Sequence, residues 1–233
     1  MRTLLVLSLL GAATAAHAQP KKPAVGAIKG TVIFEGEPPE RATLRRDTDP
    51  YCAKTKRDAE DVIVTKGKLK DVVVRIKNGT MGKHAAPTAP ALLDQKDCMY
   101  SPRVLGVVAG QKLAVRNSDG TFHNVHGVIG TKNLWNKPHP PKDPDYTLDS
   151  TPTAGAVIEV TCDIHPWMHA YAVVHDHPYF AVTPENGTFE ITGLLPGTYT
   201  LEAWHPTLGE KSMTVKIGTG GRAKVTARFS YKP

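Results

Sequence analysis

The chain is 233 residues long, enough for one large or two small domains, and carries 29 Lys and Arg against 22 Asp and Glu, a formal charge of +7. The cations are dispersed, with no basic run interleaved with aromatics. That argues against a nucleic-acid partner and leaves acidic partners or an anionic surface.

Met1-Arg2, an apolar run over Thr3–Ala16 and the small-residue pattern Ala16-His17-Ala18 follow one another at the start. A charged start, a hydrophobic stretch and such a site predict a secretory signal peptide over residues 1–18. An uncleaved anchor is the other reading, but the run is short of the roughly 20 residues a spanning helix needs. No later segment is apolar enough to span, so the mature chain is expected to be exported, to periplasm or medium, without a transmembrane segment. Residues 27–80 read as N-terminal strands. Ala27–Phe34 alternates apolar with polar or small residues, the period of a half-buried strand, and Glu35-Gly-Glu-Pro-Pro39 stops it. Residues 40–60 are highly charged and predict a surface loop carrying Cys52. Asp61–Val64 and Asp71–Ile76 are strand-like, and residues 78–90, rich in Gly, Ala and Pro, predict a loop. No i, i+3, i+4 repeat is sustained over helical lengths, so the chain reads as all-β.

Residues 90–178 hold the chemistry. Val104–Val108 and Gln111–Asn117 predict two strands around Ala109-Gly110. The five prolines between residues 131 and 155 exclude a central strand there and predict a long loop. Cys162-Asp-Ile-His165-Pro-Trp-Met168 then places a thiol, an imidazole and a thioether three apart and three apart. β-rich runs enter and leave it (Ala156–Thr161 and Tyr171–Val174), so the donors sit on a tight loop at the end of a hairpin. Cys, His and Met are the soft set that copper prefers, and one more His completes a His₂Cys site with a weak axial Met. Arg116-Asn117-Ser-Asp-Gly-Thr-Phe-His123-Asn124-Val-His126 offers it. His126 lies at an odd offset from His123, which on a strand turns the two rings to opposite faces, so the two do not serve one metal together.

The pair Asn117…His123-Asn124-Val125 and Cys162-x-x-His165-x-x-Met168 resembles the blue-copper cupredoxins. In its short ligand loop, with Pro after the loop His, it is similar to the amicyanins. Tyr100-x-Pro102…Val107-x-x-Gly110…Asn117 looks like the strand and turn ahead of the first ligand in plastocyanins and amicyanins. The resemblance covers roughly residues 95–175 and implies one type 1 copper ion held by His123, Cys162, His165 and Met168. It further implies that the Asn124 backbone N–H donates to the Cys162 sulfur and that its side chain braces the Cys162 loop, with Asn117 bonded to the backbone beside Cys162; a turn role for Asn117 and a strand-edge role for Asn124 are the plainer readings. It implies that His165 reaches the surface through an apolar patch including Pro166 and Trp167, where an unknown redox protein docks; core filling is the plainer role for Trp167. With Cys162 on the metal, Cys52 and Cys98 are left to pair as a disulfide or to stay as two free thiols.

Residues 179–233 carry a different pattern. Phe180–Ile191 predicts a hairpin with an Asn186-Gly187 turn, followed by a turn and strand over Gly193–Trp204 and by strands over Lys211–Ile217 and Ala223–Phe229. The pattern G-x-F…G-L-x-P-G-x-Y-x-L over Gly187–Leu201 resembles carboxypeptidase regulatory-like domains, which are transthyretin-like β-sandwiches. That family opens with G-x-V and a Gly/Pro turn, as in Gly30-Thr-Val32…Gly36-x-Pro38. The fold class expected is therefore all-β: a Greek-key cupredoxin β-sandwich plus a transthyretin-like β-sandwich. The two stand in tandem, or the first is inserted into the second.

The expected function is that of an exported one-electron carrier rather than an enzyme, because no second metal centre or nucleophile–base pair stands out. His175, His177 and His205 could form another metal site at the domain junction, or serve as hydrogen-bonded interface residues. A copper binding or delivery module, or an accessory binding module with structural copper, are the other readings.

Overall fold

The computed structural model describes residues 25–78, 82, 84–148, 153–219 and 224–232; the expected signal peptide, residues 1–18, lies outside them. Among the described residues the chain is nearly all β, and its one helical element is a 3-10 turn over Cys52–Lys54. No helix there is long and apolar enough to cross a membrane.

The N-terminal block gives β1 (Gly26–Phe34), β2 (Val64–Thr65), β3 (Lys68–Leu69) and β4 (Val73–Asn78). The middle block gives β5 (Ala91–Lys96), β6 (Met99–Ser101), β7 (Val104–Val108), β8 (Leu113–Asn117), β9 (His123–Ile129), β10 (Lys132–His139), β11 (Tyr146–Leu148), β12 (Val157–Thr161) and β13 (His169–His175). The last block gives β14 (Phe180–Val182), β15 (Thr188–Leu194), β16 (Gly197–His205), β17 (Gly209–Ile217) and β18 (Lys224–Tyr231).

Two pairs of sheets result. The central pair stacks β10-β9-β12-β13-β7 on β11-β8-β5-β6. Its core contains Leu93, Tyr100, Val115, Val125, Ile158, Val160 and Val174, and it extends to Cys162 and Met168. The terminal pair uses both ends of the chain. β1 runs antiparallel to β15 and parallel to β18, and β4 pairs with β14 and β16 in the facing sheet. The alternation in β1 turns Ile28, Val32 and Phe34 inward to meet Leu201, Ala203 and Phe229. On the other face of β16, Glu202 is fully buried beside Arg75 (Nε–Oε1 2.8 Å) and Lys77.

The two sandwiches meet across Val73, Val104, Val173, Val182 and Trp204. His175, at the end of β13, stacks on Phe180 with ring centroids 4.0 Å apart. A Cβ on Gly106 would stand 2.3 Å from the Phe180 ring, so the close approach there requires glycine.

Two expectations change. Phe180–Val182 and Thr188–Leu194 are not partners in a hairpin, because β14 pairs with β4 and β15 with β1. The Asn186-Gly187 turn instead carries the chain from one sheet to the other. Gly187 holds φ +65° there, and its carbonyl accepts from Val32 N–H at 2.8 Å. Nor is the proline-rich stretch only a loop. β10 pairs with β9 along one side and, among the described residues, has no partner on the other, and an edge is where Pro138 removes no needed donor.

A candidate metal centre

The site forms where the hairpin β12–β13 meets the start of β9. Strands β12 and β13 pair from Val157↔Val173 to Thr161↔His169, which leaves residues 162–168 as the connecting loop. The loop closes on itself: Met168 N–H donates to the His165 carbonyl at 2.9 Å and Cys162 N–H to the Met168 carbonyl at 3.4 Å. Pairing of β12 with β9 sets His123 beside it.

His123, Cys162 and His165 come together. Their donor atoms all lie within 4.8 Å of one another, and the three residues are 0, 2 and 1% exposed. The Nδ1 atoms of the two histidines are 2.9 Å apart, and Cys162 Sγ is 3.8 Å from His165 Nδ1. A four-coordinate metal with bonds of about 2.0–2.3 Å spaces its donors at about 3.3–3.8 Å, so only small adjustments separate this cluster from a ligand set. Met168 is fully buried in the same core cluster as Cys162.

Two other His/Cys/carboxylate groupings are equally compact, Asp49/Cys52/His165 and Cys98/Asp119/His123. Their sulfurs are joined to each other in the Cys52–Cys98 disulfide, with Cα atoms 5.7 Å apart, so neither is a thiolate. Cys162 is the one free cysteine.

The charges inside the pocket are set by burial against hydrogen bonding. Burial pushes the Cys162 thiol up. Hydrogen bonds from His123 and from the backbone N–H groups of Asn124, His165 and Ile164 outweigh it, and the pKa falls below the usual thiol range. Burial works against the charge of His123, yet Asp119 and Cys162 raise its pKa. At His165 burial prevails over the Asp49 carboxylate, and the pKa is lowered. Two Nδ1 atoms 2.9 Å apart make a hydrogen bond when one of the two rings carries a proton there.

The surrounding residues explain the alignment. Asn124 Oδ1 accepts from Asp163 N–H at 2.8 Å and ties β9 to the Cys162 loop. Tyr100, buried in the core, donates its hydroxyl to the carbonyls of Asn124 (2.6 Å) and Thr161 (3.0 Å), one from each ligand-bearing strand. Asn117 is not bonded beside Cys162. Its Nδ2 donates to the carbonyls of Thr121 and His139, and its Oδ1 accepts from Asp119 N–H, so it shapes the turn that leads to His123.

His165 does not reach the surface. The segment between β1 and β2 lies over it, and Asp49 from that segment meets His165 Nε2 at 2.9 Å. Trp167 packs beside the ring at 5.0 Å and donates to the Cys98 carbonyl at 3.0 Å, which leaves it half-buried, while Pro166 stays exposed. Burial opposes the charge of Asp49, but Thr121, Tyr51 N–H, His165 and Cys52 N–H bring its pKa down to about 2. Asp119 meets His123 Nε2 at 3.0 Å. Neither aspartate is apparent from sequence as part of the site, although Asp49 lies three residues before a cysteine that pairs back to the site.

The other histidines singled out in the sequence serve elsewhere. His126 bonds Asp163 at 2.9 Å, and His169 bonds the Pro166 carbonyl. His177 Nε2 bonds the Ile76 carbonyl, and His205 Nδ1 accepts from Thr207 and Leu208 N–H. His175, His177 and His205 do not form a metal-holding group among the described residues.

No family model matches the chain, and no curated protein matches it. Solved structures similar to it include a purple cupredoxin from Nitrosopumilus maritimus, 22% identical over 36% of this chain and 98% of that one, with a TM-score of 0.31. A mutant amicyanin in its reduced state is 27% identical over 44% of this chain and 98% of that one, with a TM-score of 0.33. A copper-containing nitrite reductase (NirK) from Thermus scotoductus is 20% identical over 40% of this chain and 24% of that one, with a TM-score of 0.32.

Proposed function

We propose that the chain is an exported copper protein that carries single electrons on one type 1 copper ion, held by His123, Cys162 and His165 with Met168 as the weak axial ligand. The observation that carries this reading is the buried convergence of one free cysteine sulfur and two imidazole rings. Copper bound there supplies a one-electron couple between Cu(II) and Cu(I). The residues supply a fixed frame. The pKa of Cys162 is lowered by its N–H donors, the loop is closed by its own backbone bonds, and both rings are held at their distal nitrogens. Ligands fixed beforehand move little when the charge changes, which favours fast outer-sphere transfer. A redox partner docks where Pro166 is exposed and Trp167 half-exposed beside the buried His165.

The strands from both chain ends form, on this reading, a transthyretin-like sandwich into which the cupredoxin-like one is inserted. The pairing of β1 with β15 and β18 supports it. The leader pattern at residues 1–18 supports export.

Loading the metal-free protein with Cu(II) tests the function. The expected result is an intense visible thiolate-to-copper band that Cys162→Ala abolishes; a colourless, redox-silent product contradicts it. One observation favours a second reading, a copper binding or delivery module: the ring edge of His165 is covered. A delivery module hands its ion to an acceptor chelator within the lifetime of a docking complex, whereas a carrier exchanges electrons and keeps its metal.

A further inference from the structure

We infer that Asp49 and Asp119 are positioning residues that hold the two histidines by their distal nitrogens and bias the centre toward the oxidised ion; this rests on the copper reading above. The arrangement is the same on both sides. Asp49 Oδ2 meets His165 Nε2 at 2.9 Å, and Asp119 Oδ2 meets His123 Nε2 at 3.0 Å. An ionised carboxylate only accepts, so each takes the Nε2–H of its ring and leaves the Nδ1 lone pair for a metal. Outer partners of this kind orient a ligating ring and raise its basicity.

Both carboxylates are themselves pinned. Asp49 accepts from Thr121 Oγ1 at 2.7 Å, Tyr51 N–H at 2.7 Å and Cys52 N–H at 3.3 Å. Asp119 accepts from Asp97 N–H at 2.7 Å and Cys98 N–H at 2.8 Å. The backbone N–H of each half-cystine thus donates to the carboxylate on its own side, and the Cys52–Cys98 bond yokes the two sides together. Two anionic groups set in a poorly solvated shell favour the higher positive charge at the centre, so they lower its reduction potential.

The test compares Asp49→Asn, Asp119→Asn and the double variant with the wild type, all copper-loaded. Asparagine keeps an accepting oxygen and the shape but removes the charge. The expected result is a potential raised by about 59 mV or more in each single variant, a tenfold loss of preference for Cu(II) over Cu(I), with a larger rise in the double variant. The thiolate-to-copper band and the EPR spectrum stay in place. Unmoved potentials with intact spectra overturn the inference, because a merely structural role predicts that result.

A second measurement uses no metal. Long-range proton–nitrogen NMR of the metal-free protein is expected to place a proton on Nε2 of both His123 and His165, and to show mixed tautomers for His165 in Asp49→Ala. A wild-type His165 protonated on Nδ1 alone overturns the inference. Failure of the wild type to form the copper–thiolate band sinks the proposed function instead, and the NMR arm still decides whether the carboxylates position the rings.

Discussion

His175 is a buried weak base at the junction of the sandwiches, and it makes acid stability the sharpest test of the packing. It is 3% exposed and stacked on Phe180, with Nε2 unpartnered. Burial, aided by Arg75 and His177, lowers its pKa to about 3. In the unfolded chain the ring titrates near 6.5. The unfolded state therefore binds more protons between pH 6.5 and 3, and stability falls as pH falls through that window. From pH 7.5 to 4.5 this one ring contributes a loss of about 2.5 kcal/mol, at about 1.4 kcal/mol per unit. His175→Leu keeps an apolar side chain against Phe180 and removes the titration. Urea unfolding of the metal-free wild type and variant at both pH values isolates the term. The variant should lose about 2.5 kcal/mol less than the wild type on acidification. The same loss in both proteins would refute the reasoning, since it would mean that protonated His175 is accommodated in the fold.

Other perturbations follow from particular contacts. Glu202→Gln strips the carboxylate from between Arg75 and Lys77 and leaves two cations facing each other; a destabilisation of about 2–3 kcal/mol is expected in thermal unfolding. Gly106→Ala drives a methyl group into the Phe180 ring and should cost about 1–3 kcal/mol, with hydrogen exchange accelerated in β7 and β14. Replacing Cys52 and Cys98 together by Ser opens a closure of 46 residues and should cost about 4 kcal/mol in the chain-entropy model, read by urea midpoint. Because ligation needs the His123 ring unprotonated and Asp119 and Cys162 raise its pKa, metal affinity should fall as pH falls, by about tenfold per unit below that pKa. A chelator-competition series across pH checks it.

The parts of the architecture legible in sequence were those carried by local pattern. The alternation in Ala27–Phe34 gave a strand, and Cys162-x-x-His165-x-x-Met168 between two β-rich runs gave the connecting loop that brings Cys162 and His165 together. The odd offset of His126 placed it off the cluster, and its ring bonds Asp163 instead. What failed depended on which sheet a strand joins. The turn at Asn186-Gly187 has hairpin chemistry, yet its flanking strands pair with β4 and β1, partners that lie more than 100 residues away in the chain and that no local pattern names. Pro138 hid an edge strand for the opposite reason: a missing donor rules out a centre and says nothing about an edge. The covered edge of His165 was illegible because Asp49 reaches it through a segment with no periodicity, fixed by a disulfide, by Arg46 on the Asp97 carbonyl at 2.5 Å and by Thr121. A motif defines donors, whereas the lid over them is set by tertiary contacts far away in the chain.

Copper K-edge X-ray absorption on the loaded, oxidised protein tests the central claim most directly, because it reports the atoms bound to the ion. The expected spectrum has one short copper–sulfur bond and two imidazole nitrogens, with the short sulfur scatterer lost in Cys162→Ala and the imidazole signal reduced in His123→Ala. A first shell of nitrogen and oxygen alone, with Cys162 still titratable by a thiol reagent, would contradict it.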